Sequence, residues 1–240
     1  MQDAPSEVNE ISVLDNGSVR LIDSMGDDLS VVRAARVSYA AEWRTGEDAG
    51  KDAKLIKYLW SHGHTSPFEH VCFTFEVKAP IFVFRQWHRH RVWAFNELSA
   101  RYTELPDEYY IPRSKEIGFQ SSSSKQAREI KNFTDDSQMI AREQEIYDYD
   151  ESCRNSFTTY HRLLDAGWPR EIARAVLPVS AYSSMFATVS LLNLFKFFDL
   201  RLHEHAQFEI RQYAQAMLHL IKPIVPSSYS AWMSAKVSRD

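Results

Sequence analysis

The strongest constraint on the fold is a period-two alternation of apolar and polar residues in two parts of the chain. The segments ISVLD and VRLID alternate on either side of Asn16-Gly17, a dipeptide that favours the tight turn of a β-hairpin. Val71 to Ala79 alternates in the same way, with Phe73, Phe75 and Val77 on one face. Because residues two apart lie on the same face of a strand, both regions predict strands with one buried face.

Helix signals fill much of the remaining chain. Asp27 or Asp28 can cap a helix that runs through Ala40, and a second helix is expected from about Asp52 to His62, with Gly63 as its stop. A further helix is predicted after Pro80 over APIFVFRQWHRHR, with its basic residues at the C-terminal end. Three more are expected at roughly Met139 to Ala166, Asn193 to His205 and Ala206 to Ile221.

A polar segment interrupts this pattern. From Pro112 to about Gln138 the composition turns polar and includes serines from Ser121 to Ser124, which predicts a loop or partly ordered insertion that carries no chemistry. The chain of 240 residues, 44% of them hydrophobic, otherwise suits one domain over residues 1–240.

One stretch without charge raises the question of a membrane. Ala175 to Phe195 is long enough to span a bilayer, but its serines, threonine, asparagine and proline argue against a span. The opening MQDAPSEVNE shows no secretory signal, and two cysteines make no disulfide framework. A net charge of -4 does not call for a nucleic-acid partner. We therefore expect a cytoplasmic protein with no membrane or nucleic-acid partner.

The segment from Arg85 to Tyr102, RQWHRHRVWAFNELSARY, contains the densest chemistry of the chain. It joins four arginines and two histidines to Glu97, Ser99 and several aromatic residues. Arginine forks bind phosphate and planar carbonyl edges, so this composition suits a nucleotide. A solvated basic helix end explains the same residues, and their spacing alone does not decide between the two interpretations.

The same segment resembles the signature of the flavin-dependent thymidylate synthases. That signature is Arg89-His90-Arg91, seven further residues, and then Ser99. The resemblance covers most of the chain outside the serine-rich insertion. Its other parts are His62-Gly63-His64, Ser66 to His70, Pro169 to Glu171, Ala173-Arg174, Leu177-Pro178, Leu200-Arg201, His205 to Gln207 and Glu209 to Arg211.

The resemblance implies a fold, an assembly and a reaction. The fold would be α+β, with helices packed on a mostly antiparallel sheet, and the protein would be a homotetramer whose active sites draw residues from several subunits. The enzyme would be an FAD-dependent methyltransferase that converts dUMP to dTMP. NADPH would reduce FAD, and methylenetetrahydrofolate would supply the one-carbon unit.

The resemblance also implies two sets of site residues. The dUMP side would use Gln86, Trp87, His88, Arg89, Glu97, Leu98, Ser99, Ala100, Arg101, Arg174 and Arg201. The FAD side would use His64, Ser66, Glu69, Arg89, His90, Arg91, Glu97, Ser190, Leu192 and Lys196.

Arg201 is the implied catalytic residue, which meets the uracil ring and favours its ionisation at N3. Arginine suits this role because it stays protonated and stabilises a forming anion, and an anionic ring is a better carbon nucleophile. The chain departs from the family at Ser190, Leu192 and Lys196, where asparagines and an arginine often contact FAD. Asn193 is a candidate replacement for part of that contact at the adenine end.

Two alternatives belong to other classes of protein. His62/His64, His88/His90 and His203/His205 suggest a metal hydrolase, but residues two apart on a helix diverge and no HExxH motif accompanies them, so no metal is expected. A nucleic-acid-binding module would use the arginines with Trp87, Trp93 and Phe95, although a pI of about 6.1 weighs against it.

A third alternative keeps the product and changes the chemistry. Thymidylate synthases that depend on cysteine attack uracil with a thiolate, which needs a reactive cysteine. Cys72 falls in an alternating strand, and Cys153 falls in a polar helix without an adjacent base. The methylation is therefore expected to depend on flavin.

Overall fold

A computed structural model describes residues 9–123, 125, 128–130 and 136–237 of the chain, and it shows helices packed on an antiparallel sheet. The strands are β1 (Glu10–Val13), β2 (Gly17–Met25), β3 (Cys72–Pro80), β4 (Ala94–Glu97), β5 (Phe119–Gln120), β6 (Arg128–Glu129) and β7 (Tyr182–Ser190). The helices are α1 (Asp28–Arg36), α2 (Ala49–Ser61), α3 (Ile81–Trp87), α4 (Ser114–Ile117), α5 (Asp136–Asp165), α6 (Arg170–Ala173), α7 (Leu191–Arg201), α8 (Phe208–Ile221) and α9 (Pro226–Val237). The predicted α+β class is confirmed.

The main sheet has the strand order β1-β2-β3-β7-β4, with every neighbouring pair antiparallel. The predicted alternation of β3 is confirmed, since Phe73, Phe75 and Val77 are fully buried. Their partners on β7 also face the core, as in the pairing of Phe75 with Ala187. The opposite face is more polar and carries the hydrogen bond between the Thr74 and Thr188 hydroxyls at 2.9 Å. One face of the sheet therefore supports the helices.

The predicted N-terminal hairpin is present, but its turn is formed by residues 14–16 and not by Asn16-Gly17, since Gly17 is the first residue of β2 and lies opposite Val13. A Cβ atom at position 17 would lie 2.0 Å from Tyr213 Oη and 2.9 Å from Lys78 O. Tyr213 Oη donates to Lys78 O at 2.9 Å, so the hydroxyl cannot move away without losing that bond. Close approach of α8 to the sheet therefore requires glycine at this position.

The first two helices follow their capping residues. Asp27 caps α1 by accepting a hydrogen bond from Ser30 N at 3.1 Å, and a 3₁₀ turn over Val37–Tyr39 extends the helical region towards Ala40. α2 begins earlier than predicted because Asp48 accepts from Lys51 N at 3.0 Å. It ends before Gly63, which has the expected left-handed φ of 72°.

The predicted helix after Pro80 is too long. α3 ends at Trp87, its last core-facing residue, and the basic residues beyond it form a turn in which His90 N donates to Trp87 O at 2.9 Å. The chain then enters β4, which the sequence analysis missed because a four-residue edge strand has little alternation to detect. His88, Arg89, His90 and Arg91 therefore lie on a turn between α3 and β4.

Several boundaries towards the C-terminus also differ from prediction. α7 ends at Arg201 and not at His205, and α8 begins after Gln207. α9 was not predicted, although Trp232 anchors it in the core with a ring parallel to that of Phe195 at 5.0 Å. The stretch from Ala175 to Phe195 is divided mainly between β7 and the start of α7. Within the described ranges, no helix combines the length and apolar character that a membrane crossing requires.

The polar insertion contains secondary structure and one buried ion pair. α4, β5, β6 and the start of α5 fall within its predicted bounds, and residues 124, 126–127 and 131–135 lie outside the described part of the chain. Arg128 Nη2 lies 2.8 Å from both carboxylate oxygens of Glu209 on α8, and Glu209 is only 2% exposed. Tyr110 Oη donates to the same carboxylate at 3.3 Å. A carboxylate this deeply buried needs a counter-charge, so the ion pair with Arg128 holds the insertion against α8.

Replacing Gly17 by alanine tests the close approach of α8 to the hairpin. We expect Gly17→Ala to lower the free energy of unfolding by about 1–3 kcal/mol, because the new methyl group overlaps Tyr213 Oη and two carbonyl oxygens. The midpoint of urea unfolding measures this change. Gly50→Ala is the matched control, since the nearest atom to its new Cβ would be Asp48 Oδ1 at 3.3 Å, with no overlap of the size found at Gly17. Equal midpoints for the two variants would contradict the prediction.

Candidate active site

Two helices that follow paired strands converge above the sheet. β3 leads into α3 beyond Pro80, and β7 leads into α7 beyond Ser190. Because Pro80 pairs with Tyr182 while Ser190 pairs with Cys72, the helices start from opposite ends of the same ladder. Trp87 near the end of α3 stacks on Phe197 of α7 with ring centroids 5.0 Å apart. The antiparallel ladder thus brings the C-terminal ends of both helices together.

Arg201 lies at this meeting point, where its guanidinium donates to two groups from the end of α3. Its Nε donates to His90 Nε2 at 3.0 Å, and its Nη2 donates to Gln86 O at 3.1 Å. Arginine has five N–H donors, and within the described part of the chain the others have no protein acceptor. Arg201 therefore combines a fixed orientation with donors left for a ligand.

His90 is held as a neutral acceptor. Burial, followed by the charge of Arg201, lowers the pKa of His90 from 6.5 to about 4. Because Nε2 accepts a hydrogen bond, the ring proton lies on Nδ1. The imidazole also meets the Phe197 ring at a centroid distance of 4.9 Å. Near neutral pH, the positively charged guanidinium of Arg201 therefore lies beside the uncharged imidazole of His90.

Gln86 connects this cluster to α8. Its side-chain amide donates to Gln207 Oε1, and Gln207 is the residue that precedes the first turn of α8. Gln207 was not predicted to have a role, although it falls within a segment that carries the family resemblance. Three elements, α3, α7 and α8, therefore fix the groups around Arg201.

A cavity of about 660 Å³ lies beside β4 and β7. The residues predicted for the nucleotide that line it are His88, Glu97, Leu98, Ala100 and Arg174. Arg85 and Ser183 also line it, and the sequence analysis assigned neither to a ligand. Gln86, Arg89 and Arg201 do not belong to this lining. The structure thus brings together five of the predicted residues and leaves the Arg201 cluster outside the cavity wall.

Ser99 organises the turn that follows β4. Its Oγ accepts from Arg101 N at 3.3 Å, and its carbonyl oxygen accepts from Tyr102 N at 3.0 Å. The Arg101 guanidinium pairs with Glu171 at 3.3 Å across the exposed surface. Arg101 is thereby turned towards the segment that also carries Arg174.

The residues predicted for the flavin are mostly on the surface. Arg89 and Arg91 are exposed and have no carboxylate partner among the residues described. His64, Ser66 and Glu69 are also exposed, and the His64 ring lies nearly parallel to that of Tyr58 at 6.2 Å. Arg89 and Arg91 therefore keep charges that no carboxylate within the described residues neutralises, and the His64 ring is accessible from solvent.

The positions that depart from the family differ in their surroundings. Ser190 Oγ accepts from Asn193 Nδ2 at 2.9 Å, so these two side chains bond to each other. Leu192 is 3% exposed and packs in the core, while Lys196 is exposed on α7. Trp87, predicted for the nucleotide, is fully buried. Among these residues, Lys196 therefore has the clearest access to a ligand.

The cysteines and histidines offer little support for the alternative chemistries. Burial raises the pKa of the Cys72 thiol, which disfavours the thiolate. Cys153 is buried, with its Sγ 3.4 Å from Ser180 Oγ. Among the described residues, no group of three or more histidine, cysteine, aspartate or glutamate side chains is placed to hold a metal ion.

Comparison with known proteins adds an independent observation. Residues 20–227 match the family model described as thymidylate synthase complementing protein. The chain is 45% identical over 231 residues to a flavin-dependent thymidylate synthase of Thermosipho africanus, covering 96% of this chain and 97% of the relative. The enzyme of the same name from Thermotoga neapolitana is 46% identical over 231 residues, with coverage of 96% and 97%. The crystal structure of a UMP/dUMP methylase, PolB, from Streptomyces cacaoi bound with 5-Br dUMP superposes with a TM-score of 0.81 at 39% identity, covering 93% of this chain and 97% of that one.

The pKa of His90 tests the contact with Arg201. In Arg201→Ala we expect this pKa to rise from about 4 while staying below 6.5, because burial remains as the larger cause. NMR titration of the imidazole C–H signals measures it. Since the unfolded ring titrates at a higher pH than the folded ring, the contribution of His90 to stability is lost as the pH falls from about 6.5 towards 4.

Arg33→Ala is the control for this titration, because Arg33 is an exposed residue of α1. It should leave the titration of His90 unchanged. An unchanged pKa in Arg201→Ala would contradict the predicted contact.

Proposed function

The chain belongs to the flavin-dependent thymidylate synthase family of methyltransferases, and we propose that it converts dUMP to dTMP with methylenetetrahydrofolate, FAD and NADPH. In the overall reaction dUMP, methylenetetrahydrofolate, NADPH and a proton give dTMP, tetrahydrofolate and NADP⁺. The observation that carries this proposal is Arg201, whose fixed guanidinium has donors left over beside a neutral His90.

We propose that Arg201 binds the uracil ring and favours the form ionised at N3. A guanidinium is a poor base, so the proton leaves to another acceptor while the arginine stabilises the negative charge on the ring. The negative charge spreads over the ring and makes C5 a better nucleophile towards the one-carbon unit. The neutral state of His90 supports this role, because a charged imidazole would repel the Arg201 guanidinium.

The cavity beside β4 and β7 supports a site for dUMP. Arg174 lines it with Glu97, and its exposed guanidinium has no carboxylate partner among the described side chains. We assign Arg89, Arg101, Arg174 and the Ser99 turn to the phosphate and sugar, since arginine forks bind phosphate oxygens in pairs. Gln86, His88, Leu98 and Ala100 complete the proposed contacts, while Trp87 supports them from the core.

The surface residues fit an FAD site by the chemistry of their donors. Arg89 and Arg91 present exposed guanidinium groups suited to a pyrophosphate, and His64 presents a ring suited to stacking. Ser66, Glu69, His90 and Glu97 complete the proposed set. Lys196 is exposed on α7 and replaces the missing family contacts, whereas Leu192 packs inward and Ser190 bonds to Asn193. FAD, when bound and reduced by NADPH, would supply the hydride that completes the methyl group.

We further propose a cytoplasmic homotetramer with shared active sites. The cavity that holds Glu97 and Arg174 is not lined by Gln86, Arg89 or Arg201, so a second copy is a suitable source of these groups. Exposed apolar side chains support an interface, and they include Phe186 at 47% and Leu200 at 62% exposure. Both cysteines are free thiols, which suits a reducing compartment.

An omission assay tests the proposed reaction. Purified protein is supplied with dUMP, methylenetetrahydrofolate, FAD and NADPH, and each component is left out in turn. We expect dTMP only in the complete mixture. UMP is assayed in parallel, because the Streptomyces neighbour is described as a methylase of both nucleotides. A folded protein that binds neither FAD nor dUMP would refute the proposal.

Removing Arg201 tests its catalytic role. We expect Arg201→Ala to lower kcat by roughly 10²–10³-fold, since it removes a donor to a developing anion, while FAD remains bound. Steady-state kinetics and the flavin absorbance of the purified variant measure the two effects. Normal dTMP formation by this variant would exclude the role.

Removing Arg89 tests whether one residue serves both ligands. We expect Arg89→Ala to weaken the binding of FAD and of dUMP by about 1.5–3 kcal/mol each, because charge-assisted hydrogen bonds are lost. This corresponds to a rise in each Kd of roughly 10- to 100-fold. Calorimetric titration of each ligand measures the change, with Arg33→Ala as an exposed control. If either titration is normal, the shared site is wrong.

A further inference from the structure

We propose that His90 is a positioning residue for Arg201, whose imidazole accepts the Nε–H of the guanidinium and thereby directs the remaining N–H donors towards the uracil ring. This inference rests on the proposed role of Arg201. It adds a function for the imidazole beyond its proposed place in the FAD site.

The guanidinium of Arg201 is held at two points. Its two protein contacts, Nε to His90 Nε2 at 3.0 Å and Nη2 to Gln86 O at 3.1 Å, involve two different nitrogens of one planar group. Two contacts to a rigid plane fix its rotation as well as its position. With Gln86 O alone, the guanidinium could pivot about a single hydrogen bond.

The imidazole of His90 is itself restrained. His90 lies in the turn beyond α3, where its backbone N donates to Trp87 O at 2.9 Å. Its ring meets Phe197 edge to face at 4.9 Å, one helical turn before Arg201 on α7. Phe197 and Trp87 are both fully buried, so the His90 imidazole packs against the hydrophobic core. An acceptor on such a support can impose its geometry on a long arginine side chain.

The hydrogen bond to Arg201 also depends on the protonation state of His90. An imidazolium has no acceptor nitrogen, so only the neutral ring with its proton on Nδ1 can make this hydrogen bond. The lowered pKa of His90 agrees with that state. Nδ1–H then remains as a donor for a ligand, so positioning Arg201 and contacting FAD use opposite sides of one ring.

The hydrogen bond is tested directly by ¹⁵N NMR of the histidine side chains near neutral pH. Assignment of the His90 signals comes from their loss in His90→Phe. We expect Nε2 of the intact chain to show the shift of an unprotonated nitrogen, and Nδ1 that of an N–H. In Arg201→Ala the Nε2 signal should move, because its donor has gone. A proton on Nε2 of the intact chain overturns the proposal.

Kinetics of two variants test the consequence for the reaction. His90→Phe keeps an aromatic ring against Phe197 without an acceptor, whereas His90→Gln places an amide oxygen near the position of Nε2. We expect His90→Phe to lose roughly 10²-fold in kcat, the size of effect that misplacing a catalytic group produces, with KM for dUMP changed less than about threefold. His90→Gln should recover most of the loss. His219→Phe, an exposed position on α8, is the matched control for the substitution itself.

A binding measurement separates positioning from a purely structural role. The bound probe is 5-fluoro-dUMP, whose ring ionises closer to neutral pH than uracil does, and its ultraviolet spectrum reports the ionised fraction. We expect the FAD-loaded enzyme and His90→Gln to favour the anion, and His90→Phe and Arg201→Ala to favour it about tenfold less. If Arg201→Ala ionises the ring normally, the proposed function of Arg201 fails. If His90→Phe ionises the bound ring normally and Arg201→Ala does not, Arg201 keeps its role and the positioning inference fails.

Discussion

The pairing of β3 with β7 is the interaction on which the rest of the molecule depends. Their ladder runs from Cys72 opposite Ser190 to Pro80 opposite Tyr182, and a helix leaves it at each end. Antiparallel pairing makes those helices start far apart and fold back towards each other over the apolar face. Arg201 meets the end of α3 for that reason, although 111 residues separate it from His90. Site geometry is therefore a direct product of strand register.

The candidate site combines exposed arginines with a buried aromatic core. Arg89, Arg91 and Arg174 are exposed without carboxylate partners among the described residues, which leaves their charges available to a ligand. The turn that carries Arg89 and Arg91 follows Trp87, which stacks on Phe197 in the aromatic core. Keeping His90 uncharged avoids one more positive charge beside Arg201. The proposed anion site therefore combines unpaired surface charges with a packed aromatic support.

Sequence patterns predicted the elements whose signals are local. The hairpin follows from the alternation on either side of Asn16-Gly17, β3 from its own alternation and the end of α2 from Gly63. All three are present, although the hairpin turn lies at residues 14–16 and Gly17 belongs to β2. β4 was missed because its four residues lie inside the motif and are fixed by pairing with β7, a distant segment. The motif identified the candidate residues but not their arrangement. The contact between His90 and Arg201 and the burial of Trp87 are tertiary properties, which no spacing along the chain encodes.

Because Arg128 and Glu209 form an ion pair, the presence of the polar insertion and the identity of residue 209 depend on each other. Glu209 is buried in α8, and its counter-charge comes from the polar insertion. A relative that lacks this insertion would leave the carboxylate without compensation and should carry a different residue, or another cation, at that place. The two features should covary across the family as a single evolutionary unit. For the same reason, a minimised version of this chain has to be redesigned at both places at once.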